Sequence, residues 1–207
     1  MSKKKPGLDD LVLLEDTHRY FLSGQELTGV TNALEVVGIT DFSKVPPEIL
    51  ERARLIGDHV HALAKLYALS DLDESSVDPR LEGFFNSVNK FFSDRVKKVL
   101  YVEAKVFDLG LGYAGQLDIV YLSHQDKVCL DDYKTSRSAH PAARLQTAAY
   151  RRPFEILYKV KVHERAGVYL DGAGDYERVP HSGPGDFDDF ARALGTARYK
   201  IKNNLWP

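Results

Sequence analysis

The stretches YAGQLDIVYL (residues 113–122) and KVCLDDYKTS (residues 127–136) decide how the rest of the chain is interpreted. Each contains a short run of apolar, β-branched and aromatic residues, which is typical of a strand. The turn between the two runs, residues 123–126, is short and polar. We therefore predict a hairpin that brings Asp118 and Asp132 together at one end of a sheet. Lys134 follows Asp132 by two residues, so on a regular strand it points to the same face.

Two carboxylates and an ammonium group on one face of a sheet predict a binding site for a hard cation. Burying such charges is costly unless they are paired or bind an ion. Carboxylate oxygens are the ligands that Mg²⁺ prefers, and Mn²⁺ accepts the same donors. Asp118 and Asp132 would then hold one or two ions. Lys134 would orient a water molecule or stabilise charge on the reacting group.

This arrangement resembles the active site of the PD-(D/E)XK nuclease superfamily, in which an acid on one strand is followed by acid-x-lysine on the next. The matching residues are Asp118, and then Asp132 and Lys134. Gly115 precedes Asp118 in the G-x-x-D form. The segment LQTAAY (residues 145–150) is similar to the Q-x-x-x-Y helix of the RecB-like and phage exonuclease branch.

A fourth motif lies upstream. The segment GDHVH (residues 57–61) is similar to the G-x-x-V-H helix of the same branch, with His61 at the metal-ligand position. The four motifs occur in the expected order and cover about residues 50–160. The resemblance implies an α/β fold with a restriction-endonuclease-like core. We expect a mixed central sheet of three to five strands flanked by helices, with a small N-terminal β-hairpin.

The resemblance also implies a function: a Mg²⁺- or Mn²⁺-dependent deoxyribonuclease, most consistent with an exonuclease in recombination, repair or DNA maintenance. DNA is the expected partner, and a protein of such a pathway is a further one. A structure-specific endonuclease, a non-catalytic DNA-binding module on the same fold and an unrelated enzyme are the alternatives. The implied catalytic residues are Asp118, Asp132, Lys134, Gln146 and Tyr150, and the implied metal ligands are Asp118, Asp132, His61 and Glu103.

Two of these metal ligands have simpler explanations. His61 lies on the predicted helix 47–69, where a lone histidine at the edge of the core with one satisfied hydrogen bond is common. Glu103 lies on the predicted strand 100–109, where it could be solvated or pair with Lys105. The motif GxGxxG formed by residues 110–115 is not a dinucleotide fingerprint, because a strand pattern rather than a helix follows it. We expect these glycines to form a turn and to leave space near the metal.

Composition limits the remaining possibilities. The chain has 207 residues, a formal net charge of -2 and one cysteine, Cys129. A single cysteine excludes an internal disulfide and an iron–sulfur cluster held by this chain alone. No apolar run is long enough to span a membrane, so a cytoplasmic location is expected. Because the net charge is slightly negative, DNA contacts must come from a local basic surface. The candidates are Arg137, Arg144, Arg151 and Arg152, which we expect to adjoin Gln146 and Tyr150.

The remaining pattern predicts a loose tail (residues 1–10) and a single nuclease domain (residues 11–207). The runs LVLL and HRYFL form the N-terminal hairpin, and a short strand follows residues 23–25. Thr31 would cap a helix over residues 32–37. Further helices are expected over residues 81–99, from Pro141 onward with a kink or break near Pro153, and over residues 186–202. Strands are expected over residues 164–170 and 175–180.

Overall fold

The computed structural model describes residues 6–136 and 139–206, and it has the α/β architecture that the sequence predicts. A mixed sheet is flanked by helices, and a β-hairpin opens the chain. The strands are β1 (Leu11–Leu14), β2 (Arg19–Leu22), β3 (Gln25–Gly29), β4 (Val96–Asp108), β5 (Tyr113–Ser123), β6 (Val128–Lys134), β7 (Glu164–Leu170) and β8 (Tyr176–Pro180). The helices are α1 (Val30–Val36), α2 (Pro47–Ala68), α3 (Glu82–Arg95), α4 (Pro141–Tyr158) and α5 (Asp186–Lys202).

Strand β5 is the centre of the sheet. One of its edges pairs with β4 in antiparallel fashion along almost its whole length. The other edge is divided between two strands: β3 runs parallel to it at Tyr113 and Ala114, and β6 runs antiparallel to it from Ile119 to Leu122. Strands β7 and β8 then extend the sheet beyond β6. Eight strands of the described chain are joined in this way, more than the three to five predicted, because the N-terminal strands attach to the same sheet.

Two apolar cores hold the helices to the sheet. One contains Phe154, Phe190 and Leu117 and packs α1, α4 and α5 against one face. The other contains Val60, Phe91 and Tyr121 and packs α2 and α3 against the opposite face. The sheet is therefore covered on both sides, which suits a strand such as β5, whose residues are almost all buried. No helix in the described part of the chain is long and apolar enough to cross a membrane.

Several predicted boundaries were wrong. Helix α3 ends at Arg95, because residues 96–99 pair with β5 instead of continuing the helical pattern. Helix α1 starts at Val30 with Gly29 as its N-cap, so Thr31 is not the capping residue. The predicted loose tail is wrong for residues 8–10, which form a 3₁₀ turn whose Asp10 carbonyl accepts a hydrogen bond from the Ser23 amide. Residues 1–5 lie outside the described chain.

Helix α4 is continuous through Pro153, where a kink or break was predicted. A proline inside a helix lacks the N–H that would bond the carbonyl four residues earlier, here that of Ala149. The hydroxyl of Tyr113, on β5, donates to this Ala149 carbonyl at 2.9 Å. Both Tyr113 and Ala149 are fully buried, so water cannot replace this donor. A side chain from the sheet thus satisfies the carbonyl that Pro153 leaves without its helical partner.

This compensation can be tested by a double-mutant cycle. We expect Tyr113→Phe to lower the free energy of unfolding by about 1–3 kcal/mol, because it leaves the Ala149 carbonyl buried without a donor. In a Pro153→Ala background, Tyr113→Phe should lower the free energy of unfolding by less, because the alanine at this position supplies the helical N–H that proline lacks. Urea unfolding of the four proteins gives the coupling energy. Equal costs of Tyr113→Phe in both backgrounds would contradict the explanation.

Candidate active site

The candidate site forms where β5 and β6 separate. Their regular pairing ends at Ile119 and Asp131, so Asp118 and Asp132 are the next residues in register but form no ladder pair. The Asp118 carboxylate accepts a hydrogen bond from the Tyr133 amide at 2.6 Å through Oδ2. A side chain thus satisfies a backbone donor at the point where the strand partner is lost. The two acids predicted to meet on adjacent strands do so at this separation.

His61 reaches Asp118 from helix α2. Its Nδ1 lies 3.2 Å from Asp118 Oδ1, and about a third of its side chain (34%) remains exposed. The ring also packs edge-on against Tyr133, with centroids 6.1 Å apart. The structure therefore brings His61 into the site, as the motif predicted. The imidazole–carboxylate contact is equally the satisfied hydrogen bond of the simpler explanation, so its role as a metal ligand stays a prediction.

Asp132 and Lys134 begin a line of contacts that leads to helix α4. The ammonium group of Lys134 contacts Asp132 Oδ2 and donates to Gln146 Oε1 at 3.0 Å. The Gln146 amide in turn donates to the Tyr150 hydroxyl at 3.0 Å. All four predicted residues of this group are therefore in one connected network. The contact between the Lys134 ammonium group and the buried Asp132 Oδ2 is an ion pair. No described residue donates a hydrogen bond of regular geometry to this oxygen.

Glu103 lies on β4 across from Asp118. The pairs Val102–Ile119 and Ala104–Leu117 flank these two residues, which places them opposite one another. Glu103 has a φ of 53°, in the left-handed region that non-glycine residues rarely adopt. Its carboxylate is bound by the side-chain amide of Gln116 and not by Lys105. The structure thus places Glu103 at the edge of the site, where Gln116, which the sequence motifs did not single out, holds it.

The electrostatics separate the two aspartates. Burial raises the pKa of Asp132 to about 6. The positive charge of Lys134 lowers this pKa, and the negative charge of Asp118 raises it. Burial would also raise the pKa of Asp118, but the nearby charge and hydrogen bond of His61 hold it below its usual value. Asp118 is consequently the firmly ionised carboxylate at neutral pH. Two adjacent acids with pKa values displaced in opposite directions are typical of functional sites.

Lys134 stays charged in this environment. Burial alone would lower its pKa, yet the charges of Asp132 and Asp118 outweigh that effect and raise it. A lysine that holds its proton serves as a fixed positive charge and not as a general base. This favours, of the two predicted roles, stabilisation of negative charge on a bound group.

The donor set fits a hard divalent cation. Among the residues that the structure describes, no three His, Cys, Asp or Glu side chains form a ready cation site. The two aspartates nevertheless converge, and the described contact of the buried Asp132 Oδ2 is with the Lys134 ammonium group. Carboxylate oxygens that lie close together are the ligands that a hard divalent cation prefers. Asp118 and Asp132 would hold the ion, with Glu103 and His61 beside them.

The predicted DNA-binding arginines occupy a different part of helix α4. With about 100° of rotation per residue, Arg144 and Arg151 lie roughly 140–160° around the helix from Gln146. The expectation that they adjoin the Gln146–Tyr150 face is therefore wrong. Each contacts an acid: Arg151 Nε lies 3.1 Å from Glu155, and Arg144 Nε lies 3.5 Å from Asp186.

Arg152, the third of the predicted arginines, is also engaged within the molecule. Arg152 Nε lies 3.8 Å from Asp108, and its guanidinium packs over the Phe187 ring. Arg137 lies outside the described residues. Contact of these arginines with DNA stays a prediction.

The glycine of the G-x-x-D motif has a packing role that the sequence did not reveal. A Cβ atom on Gly115 would lie 2.5 Å from the Tyr150 ring, so only glycine lets this tyrosine pack against β5. The space beside Gly115 is therefore filled by Tyr150 and is not left open for a metal, as had been expected. A Cβ at Gly57, by contrast, would make only ordinary contact with Thr135.

The buried hydroxyl of Tyr133 gives a test of the local packing. It has no hydrogen-bond partner among the described residues, whereas the Tyr121 hydroxyl donates to Asp131 at 2.8 Å. We expect Tyr133→Phe to leave the free energy of unfolding unchanged or to raise it by up to about 1 kcal/mol. The matched control, Tyr121→Phe, should lower it by about 1–3 kcal/mol. Similar losses in both variants, measured by urea unfolding, would contradict this assignment.

The His61–Asp118 pair predicts a pH dependence of stability. Burial lowers the pKa of His61, but the charge of Asp118 outweighs it and raises that pKa to about 9. Because the folded value lies above the unfolded value of about 6.5, the contribution of the pair is complete below that pH. It is lost as the pH rises through 9. The stability difference between wild type and His61→Gln, measured without metal, should therefore shrink from pH 6 to pH 9.5.

The exposed neighbour His59 supplies the control for this measurement. It bonds only the Leu55 carbonyl of its own helix. The difference between wild type and His59→Gln, measured over the same pH interval, gives the background effect of removing an imidazole that has no carboxylate contact of the kind His61 makes. A His61→Gln difference that stays constant from pH 6 to pH 9.5 would show that His61 gains no proton-dependent stabilisation from Asp118.

No protein-family model matches the chain, and no curated protein matches it. A solved structure described as the crystal structure of SSO0001 aligns with 83% of this chain and 74% of its own. The sequence identity is 16% and the TM-score is 0.44. The chain is thus only distantly similar to that structure.

Proposed function

We propose that this protein is a metal-dependent nuclease that hydrolyses DNA phosphodiester bonds, with a restriction-endonuclease-like core. The observation that carries the proposal is the meeting of Asp118 and Asp132 at the separation of β5 and β6, with Lys134 in contact with Asp132. Carboxylates placed in this way, beside a fixed cation, suit a reaction in which negative charge develops on a phosphate. An exonuclease acting in recombination, repair or maintenance is the form of the activity that the motifs favour.

Each side chain has a distinct part in this proposal. Asp118 and Asp132 would hold Mg²⁺ or Mn²⁺, which when bound polarises a phosphate and lowers the pKa of water. Lys134 donates to a phosphate oxygen and stabilises the charge that grows there. Gln146 fixes Lys134 through its 3.0 Å hydrogen bond, and Tyr150 fixes Gln146. The last two are therefore positioning residues on α4.

Substitution of the site residues tests the proposal. We expect Asp132→Asn and Asp118→Asn to abolish Mg²⁺-dependent cleavage of single- and double-stranded DNA. Lys134→Met should lose turnover by about 10²–10³-fold while still binding metal, because it removes charge stabilisation and no ligand. Wild-type rates for Lys134→Met at saturating Mg²⁺ would contradict the role given to this lysine.

Stability measurements separate a catalytic effect from misfolding. Asp132→Asn removes a buried charge but also leaves Lys134 without its direct ion-pair partner, although Asp118 stays close to the ammonium group. We therefore expect this variant to lose stability but to keep one cooperative melting transition near pH 8. Cleavage of linear but not of closed circular DNA would assign the exonuclease form, and cleavage of both would assign an endonuclease. DNA binding without any cleavage by the wild type would favour the non-catalytic module.

A further inference from the structure

A groove of about 920 Å³ lies between the N-terminal hairpin, α1, α2 and the end of α5. Its walls include Arg54 and Asp58 from α2, Thr31 from α1, and Lys202 and Trp206 from the C-terminal region. Of these five residues, Asp58 alone lies in a sequence motif, at a variable position of GDHVH. We call it the entry groove.

The entry groove leads towards the candidate site along α2. Arg54, Asp58 and His61 are spaced four and three residues apart, so they lie along one face of this helix. On the opposite wall, the groove is lined by Gly29, which ends β3. The face of α2 that carries Arg54 and Asp58 therefore connects the groove with Asp118, because His61 on the same face contacts that carboxylate.

The groove presents polar groups that the fold does not use. Arg54, Lys202 and Asn32 have no ion pair or hydrogen bond of their side chains to any other described residue. This distinguishes them from Arg144, Arg151 and Arg152, whose guanidinium groups are engaged within the molecule. Unpaired donors that share one groove are available to a ligand with many acceptors.

The charges along the groove favour a polyanion, but only weakly. The charges of Arg19 and Glu26 cancel, because the two side chains form an ion pair at 2.6 Å. The other full charges of the lining are positive on Arg54, Arg198 and Lys202 and negative on Asp58 and Glu35. The excess is one positive charge, so phosphate attraction alone gives little affinity. A second kind of contact must contribute if the ligand is a nucleic acid.

Trp206 supplies that contact. The residue is 37% exposed, and Lys200 Nζ lies over its ring at 5.7 Å from the centroid. Lys200 itself is fixed by donating to the Val36 carbonyl at 2.7 Å, which keeps this region next to α1. An exposed aromatic ring beside unpaired cations is the combination that proteins use to bind single strands, because bases stack on the ring while cations follow the phosphates. In a duplex the base faces are already stacked on one another.

We propose that the entry groove binds single-stranded DNA and guides it to Asp118 and Asp132. This inference rests on the proposed nuclease function and specifies its substrate as a single strand. Arg54 and Lys202 contact phosphates, and Trp206 stacks on a base. An unpaired strand thus reaches the site between the hairpin and α2.

Trp206 is the only tryptophan of the chain, so its fluorescence reports on the groove directly. A twelve-nucleotide oligothymidylate, titrated in Ca²⁺ to support binding without turnover, should quench this fluorescence to saturation. A blunt duplex of the same length should not. Binding of the oligothymidylate without quenching, or equal quenching by the duplex, would overturn the inference.

Substitutions add a second readout, the salt dependence of affinity measured by anisotropy of a labelled oligothymidylate. Arg54→Ala/Lys202→Ala should lower the slope of log affinity against log salt by about 1.4, since each single-strand phosphate contact contributes about 0.7. The control Lys90→Ala/Lys97→Ala removes the same charge from two exposed lysines paired with acids elsewhere, and should leave the slope unchanged. Trp206→Ala should weaken binding about 5- to 150-fold with an unchanged slope.

Hydrolysis of bis(p-nitrophenyl) phosphate in Mn²⁺ distinguishes failure of the groove from failure of the site. This small diester does not need the groove, so Arg54→Ala/Lys202→Ala should lose far less of this activity than of oligothymidylate cleavage, whereas Asp132→Asn should lose both. If Asp132→Asn loses this hydrolysis but Arg54→Ala/Lys202→Ala keeps the wild-type salt slope, the nuclease proposal is supported and the assignment of the groove to DNA binding is refuted. Quenching by oligothymidylate without hydrolysis of any diester would support the groove and refute the nuclease.

Discussion

The hydrogen bond from the Tyr133 amide to the Asp118 carboxylate is the contact on which the site depends. A buried amide has to be satisfied, and on a continuous ladder the partner would be a carbonyl of β5. Here the carboxylate accepts the bond instead, at 2.6 Å, so β6 can leave β5 without an unsatisfied donor. The edge of β5 beyond this point is taken by β3 at Tyr113 and Ala114. Between these two pairings the sheet has room for charged side chains.

Helix α4 supports this opening from one face, and its own integrity comes from the sheet. Gly115 lets the Tyr150 ring pack against β5, and Tyr150 then holds Gln146. One turn further along, the Tyr113 hydroxyl satisfies the carbonyl that Pro153 leaves without a helical partner. Strand β5 therefore supplies both the close packing against α4 and the donor that its Ala149 carbonyl needs. The buried charges of Asp132 and Lys134 are tolerated because they contact each other within this rigid frame.

Local patterns in the sequence predicted what is determined locally. The hairpin of β5 and β6 and the bounds of α5 follow from periodicity and turn composition, and the convergence of Asp118, Asp132 and Lys134 follows from that hairpin. The start of β4 at Val96 did not follow, because its pairing with distant β5 overrides a helical pattern. The role of Tyr113 at Pro153, the packing of Gly115 and the entry groove each join segments far apart in the chain. No pattern among neighbouring residues of the sequence predicts such contacts.

The arginines show why composition is a poor guide to nucleic-acid contacts in this chain. Arg165 binds Asp186 at 2.5 Å and Arg178 binds Asp131 at 2.7 Å, and the side chains in both pairs are at most 7% exposed. Removing one partner of such a pair leaves a buried charge, so these guanidinium groups are committed to the fold. A count of 28 basic residues therefore overstates the charge available to phosphates. What matters is which cations lack a partner among the described residues, and by that criterion Arg54 and Lys202 outrank Arg144, Arg151 and Arg152, which contact acids.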